Sequence, residues 1–332
     1  MLPTLRQLEY VVALASTGRF VEAARRCGVS QPALSKQIRE VEALVGTPLF
    51  ERTSEGATPT AAGAEVVARA RRLLADAREL VDAASAHAGR RLGVVQIGVI
   101  PTVAPFALPG LLVKLRALFP DASFVIHELQ TPVLLERLRD RTVDVGLLAH
   151  PFDEAGLTGS DVIFEPFVLA TPQHHPLAGS TPVDRAAIAG ASLILMGDGH
   201  CLRDQALEVC AAAGAAPPTG VSAASVSTLV QLVESGLGAT LLPVSALPVE
   251  LAASRAPSIA LRRFADPPPG RTLTLQWRRT SPDGPWFERI AAVLRAHYVA
   301  MNDALPVVTG AVPWLTPAPP GVTVAETSAG RP

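Results

Sequence analysis

The chain has 332 residues, enough for two or more domains, with 48% hydrophobic residues, 18% charged residues and a formal net charge of −1. Those values describe a globular chain and exclude a disordered or membrane protein, and no apolar run approaches the roughly 18 residues a bilayer requires. A charge so near zero advertises no nucleic-acid binding, so any such function must be local.

The opening, Met1 to Gln7, lacks the apolar core and cleavage site of a secretory signal, and three cysteines are too few for a secreted disulfide framework. The expected compartment is the cytoplasm. Thr4 and Gln7 form a capping box, and Leu5, Leu8, Val11, Val12 and Ala15 follow at helical spacing. Phe20 to Arg26 predicts a second short helix. Cys27-Gly28-Val29 forms the turn, and Ser30 caps a third helix carrying Gln31, Pro32, Ala33, Leu34, Ser35, Lys36, Ile38 and Arg39. Two short helices joined by a tight Gly-containing turn make a helix-turn-helix unit. From Arg19 to Arg39, five cations stand against Glu22 alone, a net of +4. This patch would face phosphates. Gln31, Pro32 and Ser35, at the start of the third helix, are placed to meet base edges. Periodicity alone fits an ordinary helical bundle with a solvated charged face equally well.

Beyond Gly89 the pattern alternates. Val95 to Ile100, Ser123 to Leu129 and Asp144 to Ala149 read as strands, with helices at Leu108 to Phe119 and Pro132 to Arg141. This βαβαβ series implies parallel sheet. A second set follows: Phe167 to Thr171, Ser192 to Met196, a helix from Leu202 to Ala213, a helix from Thr228 to Ser235, and Ala239 to Pro243. Strands Ser258 to Phe264 and Arg271 to Arg278 lead to a last helix, Trp286 to Tyr298. The tail, residues 301–332, is rich in Pro, Gly, Ala and Thr and reads as disordered, with Trp314 its one anchor candidate.

Cys201 and Cys210 stand nine positions apart within this second set. The apolar positions Leu202, Ala206, Val209, Cys210 and Ala213 recur at helical spacing between Gly199 and a capping Gly214, so Cys201 would start the helix and Cys210 would lie on its buried stripe. Nine helical residues advance roughly 13.5 Å and turn about 180°, whereas a disulfide needs its Cα atoms within about 7 Å. The two sulfurs cannot bond while the helix stands. A helix N-terminus with His200 and Arg203 nearby favours a thiolate at Cys201, and a sulfenic acid formed there could condense with Cys210 only by unwinding the segment. Two free cysteines are also ordinary small core residues, and both readings stand at this point.

Ala23-Ala24, Val29-Ser30-Gln31-Pro32-Ala33-Leu34-Ser35, Ile38, Leu44 and Leu49-Phe50-Glu51-Arg52-Thr53 resemble the winged helix-turn-helix of LysR-type transcriptional regulators. Thr58-Pro59-Thr60-Ala61-Ala62-Gly63 is similar to the entry of that family's linker helix, which implies one long helix from about Pro59 to His87 with Val66, Val67, Leu73, Leu74 and Leu80 on its apolar faces. A lone helix of that length wants a partner. The resemblance implies an α/β chain with an all-α N-terminal part: a winged helix-turn-helix DNA-binding domain at 1–58, a linker dimerisation helix at 59–88, and a regulatory redox-sensing domain at 93–300. This last domain is periplasmic-binding-protein-like, with subdomain I at about 93–165 and 270–300 and subdomain II at about 166–269. Ser30, Gln31, Pro32, Ser35, Lys36 and Arg39 would then meet DNA, joined by Arg52 on the wing. Promoter DNA, RNA polymerase and further copies of the chain, as a dimer-of-dimers homotetramer, are the implied partners, with no membrane.

Within the family, Gly98-Val99-Ile100-Pro101-Thr102-Val103-Ala104-Pro105, His127-Glu128-Leu129-Gln130-Thr131 and Asp198-Gly199-His200-Cys201-Leu202-Arg203-Asp204-Gln205-Ala206 are most similar to the members that sense hydrogen peroxide. By that likeness Cys201 is the peroxidatic thiol and Cys210 the resolving one, in a pocket formed by Thr102, Thr131, His200, Arg203, Asp204 and Arg278. Either threonine also reads as a simple helix cap. The stretch Thr219-Gly220-Val221 departs from the pattern in lacking a histidine that some of these sensors carry. No cofactor and no metal site is implied. Cys27 reads as a packed small residue, and His174-His175-Pro176 as a surface loop, since adjacent histidines diverge and no third ligand is near. A regulator of the same family that binds a small organic effector, and a thiol peroxidase, are the competing readings. The peroxidase leaves residues 1–60 without a role.

Overall fold

The computed structural model describes residues 2–53, 56–86, 93–179, 181–215, 220–253 and 259–301. The expected features at His87, Gly89, Thr219, Ser258 and Trp314, and the tail from residue 302 onward, lie outside the described residues. The chain divides into two compact units, one of residues 1–96, 121–123 and 136–144 and one of residues 97–120, 124–135 and 145–332.

The first unit begins with α1 (Leu5–Thr17), α2 (Phe20–Arg26) and α3 (Gln31–Val45), and the predicted capping box of Thr4 and Gln7 is present in full. Ser30 accepts from the Ala33 N–H at 3.4 Å and so fixes where α3 starts. Val11, Leu14, Leu34, Ile38 and Val41 interlock as a dry core, each large side chain contributing about 1.5–3 kcal/mol by leaving water. Strands β1 (Phe50–Thr53) and β2 (Gly56–Pro59) pair antiparallel as a wing. The long helix α4 (Ala61–Ala86) starts two residues later than Pro59, because Pro59 is still paired with Phe50 and Thr60 Oγ1 caps the helix through the Gly63 N–H at 2.9 Å. Its Val67, Ala70 and Leu74 are buried against the α1 layer, whereas Leu73 and Leu80 are 52% and 73% exposed. The apolar stripe therefore splits into a used face and an open one.

The second unit holds most of a sheet built from β3 (Gly93–Val99), β4 (Ala122–Glu128), β5 (Val145–Ala149), β6 (Leu157–Pro172), β9 (Thr240–Pro243), β10 (Ile259–Arg263) and β11 (Gly270–Arg278), and a separate parallel pair of β7 (Leu195–Met196) and β8 (Ser222–Ala223). The main sheet runs β10-β6-β11-β5-β3-β4, with β9 also on β6. It is mixed rather than parallel. β3 and β5 pair in parallel, but β11 pairs antiparallel with both β5 and β6, and β9 and β10 pair antiparallel with β6. The βαβαβ pattern could not reveal the antiparallel returns, because pleat periodicity carries no direction. β6 is also far longer than the predicted Phe167 to Thr171: Leu157 to Pro166 pair with β11, and from Phe167 onward the same strand pairs with β9 and β10.

Around the sheet lie α5 (Ala104–Leu118), α6 (Thr131–Arg139), α7 (Cys201–Ala212), α8 (Val226–Glu234), α9 (Leu247–Ala253) and α10 (Gly284–Met301). α5 starts four residues before the predicted Leu108 and keeps Pro109 inside it. Proline ordinarily ends a helix pattern, and here Pro105 occupies the first turn, where its missing N–H costs nothing. α9 escapes the sequence reading altogether. α7 ends as the spacing requires: the Gly214 N–H bonds Ala211 O at 3.1 Å and the Ala215 N–H bonds Cys210 O at 2.9 Å, a double closure that needs the left-handed φ of +69° at Gly214.

Candidate functional site

Cys201 is the first residue of α7, and its surroundings come from three loops of the second unit. Ile100, Pro101 and Thr102 follow β3, Gln130 and Thr131 open α6, and Gly199, His200 and Cys201 open α7; together they line one pocket. Its empty volume is about 140 Å³, open solvent at its mouth included. The loop before Cys201 is tightly specified. Gly199 has φ +84°, and a Cβ there would stand 2.6 Å from Gln130 Oε1, so glycine serves both the turn and the close approach. Gln130 Nε2 in turn donates to Asp198 O at 3.3 Å.

The polar atoms of the pocket are unevenly satisfied. Thr102 is buried, and its Oγ1 and carbonyl O accept from Arg271 Nη1 at 2.8 Å and Nη2 at 3.1 Å. Thr131 Oγ1 and His200 Nδ1 are buried with no hydrogen-bond partner among the described residues. Thr131 is thus the first helical residue of α6 rather than a side-chain cap, and its hydroxyl is left for something else in the pocket. Burial holds the His200 imidazole below the ordinary histidine range, against a weaker opposing pull from Glu128. A neutral ring is not the cation that the sequence assigns to it. One helical turn after Cys201, the buried Gln205 donates Nε2 to His150 O at 2.8 Å, while its Oε1 has no partner among the described residues.

The cation of the site is Arg271, which sequence reasoning missed. Its guanidinium is fully buried and paired with an equally buried Glu165, Nε to Oε2 at 2.7 Å. Burial works against that charge, but Glu165 and then Cys201 more than offset it, so Arg271 stays protonated. The expected arginine, Arg278, is not beside the pocket. It faces Leu157 at the far end of β11, seven residues from Arg271, hence about 24 Å away and on the opposite face of the pleat. Two further expected pocket residues do not line it. Arg203 turns back along the loop, Nη1 to Met196 O at 3.0 Å and Nε to Asp198 Oδ1 at 3.0 Å. Asp204 is exposed, on the solvent side of α7.

Cys201 and Cys210 are both buried free thiols, and burial pushes the Cys210 thiol up from its ordinary range. Cys27 is a half-buried free thiol in the turn before α3 and is shifted the same way for the same reason. His175 Nδ1 accepts from the Leu177 N–H at 3.1 Å, a local turn contact within the His174-His175 loop.

In the first unit, Ser30, Gln31, Pro32, Lys36 and Arg39 are exposed along the start of α3, and Ser35 is half-buried. Lys36 lies 3.9 Å from Glu40 in an exposed pair of the kind worth little in water. Arg52 on the wing is held over the Phe20 ring at 5.1 Å and lies 3.5 Å from Glu42 Oε2. Glu42 Oε1 also accepts the Leu49 N–H at 2.9 Å, so one carboxylate ties α3 to the wing.

Residues 5–64 match the lysR family of bacterial regulatory helix-turn-helix proteins, and residues 88–299 match the LysR substrate binding domain. A probable hydrogen peroxide-inducible genes activator of Streptomyces viridosporus is 42% identical over 306 residues, covering 92% of this chain and 96% of that protein. The DNA-binding transcriptional dual regulator OxyR of Escherichia coli K12 is 39% identical, covering 88% and 95%. Among solved structures, full-length Pseudomonas aeruginosa OxyR with a cysteine-to-aspartate substitution matches with a TM-score of 0.74 at 33% identity, covering 89% of this chain and 95% of that one. A hydrogen-peroxide-bound cysteine-to-serine mutant of Corynebacterium glutamicum OxyR matches with a TM-score of 0.64 at 34% identity, covering 92% and 95%.

Proposed function

This chain belongs to the LysR-type family of bacterial transcriptional regulators, and from that premise we propose that it is a hydrogen-peroxide-responsive DNA-binding regulator whose signal is oxidation of Cys201. The observation that carries this reading is a thiol at a helix N-terminus, in a small pocket lined by Thr102, Thr131 and His200, with a fully buried arginine behind Thr102 and unsatisfied Thr131 and His200 atoms around it. The sulfur attacks one peroxide oxygen, the O–O bond breaks, and sulfenic acid and hydroxide are formed. The Cys210 thiol then displaces the oxygen from Cys201 as water, giving a disulfide. Because α7 separates the two by roughly 13.5 Å along its axis, the helix must unwind, and that refolding is the signal. The chain is a regulator rather than an enzyme, since each oxidation changes its state instead of turning over substrate.

In this reading residues 1–58 bind promoter DNA, residues 59–88 join two copies, and residues 93–300 sense the oxidant. The exposed Leu73 and Leu80 on α4 suit a second copy, and pairs of dimers would form the homotetramer that acts with RNA polymerase in the cytoplasm. No helix among the described residues is long and apolar enough to cross a membrane. A small organic effector bound between the subdomains is not favoured, because the similar proteins are hydrogen peroxide-inducible genes activators. Peptide mapping by mass spectrometry after substoichiometric peroxide tests the reading. A linked Cys201–Cys210 peptide is expected; an unmodified Cys201 overturns it.

The DNA contacts make a separate prediction. Gln31→Ala is expected to narrow the gap between operator and random DNA, because an exposed amide at the start of α3 reads base edges. Lys36→Ala is expected to weaken both and to flatten the salt dependence by up to about one charge. A salt titration that leaves both variants at wild-type affinity would remove α3 from the groove.

A further inference from the structure

We propose that Glu165 is a positioning residue for the oxidation of Cys201, acting through Arg271; the inference rests on the peroxide-sensing reading above. Glu165 stands in β6 directly across from Arg271 in β11, and both side chains are 0% exposed. Its two oxygens have different partners. Oε2 accepts from Arg271 Nε at 2.7 Å, and Oε1 accepts from the Ser245 N–H at 2.9 Å, in the short 3₁₀ turn Val244–Ala246. The carboxylate is therefore pinned from a second element and cannot follow Arg271 if the guanidinium rotates.

On its other side the same guanidinium is spent on Thr102, through Nη1 to Oγ1 and Nη2 to the carbonyl. This has a directional consequence. With Thr102 Oγ1 accepting from Arg271, its own proton points away from the guanidinium, and Thr102 lines the pocket. The line Ser245 N–H, Glu165, Arg271, Thr102 thus fixes one hydroxyl donor and one cation beside Cys201. Both are needed where charge develops: the sulfur attacks as a thiolate, and the departing oxygen leaves as hydroxide when the O–O bond breaks. Tyr298, buried beside the pair, is held protonated by its burial and by Glu165, so it adds no competing charge.

A purely electrostatic role for Glu165 would show itself differently. Its negative charge opposes a thiolate at Cys201, so neutralising it would move the pH midpoint of Cys201 reactivity downward and leave the plateau rate at high pH unchanged. A positioning role lowers the plateau itself. The test is stopped-flow oxidation of the full chain by hydrogen peroxide across pH, in a Cys210→Ser background so that the reaction stops at the sulfenic acid. Glu165→Gln removes the charge and puts an NH₂, which cannot accept, where one of the two accepting oxygens stood. Its plateau rate constant is expected to fall on the order of 10-fold or more, as for a donor displaced from its reacting atom.

Glu165→Asp guards against a variant that does not fold, since it keeps the charge and shortens the reach by one methylene. Its plateau is also expected to fall, with the pH midpoint unmoved. A wild-type plateau in either variant overturns the inference. Failure of the parent chain to oxidise at Cys201 would instead sink the peroxide reading, so the two failures are distinguishable.

Discussion

Cys201→Ser is expected to abolish the peroxide response while leaving operator binding intact. A serine hydroxyl in the same place has neither the polarisable sulfur nor an accessible anion, so it cannot attack peroxide, and every later step requires that attack. The fold should tolerate the change, because serine is close in size to cysteine and keeps the shape of the first turn of α7. The proposed DNA-binding surface, Ser30 to Arg39, lies in the other compact unit on a core of its own, so its stability does not draw on the sulfur. Footprinting with and without peroxide measures both halves at once. A Cys201→Ser chain that still changes its footprint on peroxide treatment would mean that sensing occurs elsewhere.

The N-terminal unit was legible almost to the residue because its signals are local. A capping box, a serine cap and helical spacing each act within four positions, so Thr4, Ser30 and the span Phe20–Arg26 could be read directly. The start of α7 and its closure at Gly214 were legible for the same reason. The cysteine spacing also carried its consequence on its face, since helical rise is a fixed length. The pocket was harder. Thr102 and Thr131 could be placed by resemblance, but the arginine could not, because Arg271 and Arg278 lie in one strand and only the cross-strand register decides which meets Thr102. Glu165 left no local trace, as its partners Ser245 and Arg271 are 80 and 106 positions away. The fold drew Arg203 and Asp204 away from the pocket although both adjoin Cys201 in sequence. At 100° per residue, position two points well away from Cys201, position three lies about 60° to one side and here reaches solvent, and Gln205, four beyond, lies nearest to its face.

Cys210→Ser is expected to uncouple oxidation from refolding. Cys201 would still reach the sulfenic acid, because the groups around it, Thr102, Thr131 and Arg271 behind them, owe nothing to a thiol at the other end of α7. Cys210 is not the first to react in the native chain either, since it is 1% exposed and burial keeps its thiol protonated. Its contribution comes second, and it is mechanical. Unwinding α7 exposes Leu202, Ala206 and Val209, breaks the double closure at Gly214 and frees Gln205 from His150, and all of that opposes the oxidised fold. Only a covalent bond drawing two Cα atoms from roughly 13.5 Å of axial separation to about 6 Å can hold against it. Without that bond the helix should close again over the sulfenic acid, and the DNA-bound state should stay that of the reduced protein. Hydrogen exchange over residues 199–215 reads this directly: on oxidation the wild type should lose protection there and the Cys210→Ser chain should keep it. Equal loss in both would mean that the added oxygen alone breaks the helix, by crowding a pocket with no room to spare, and that the disulfide only traps a change already made.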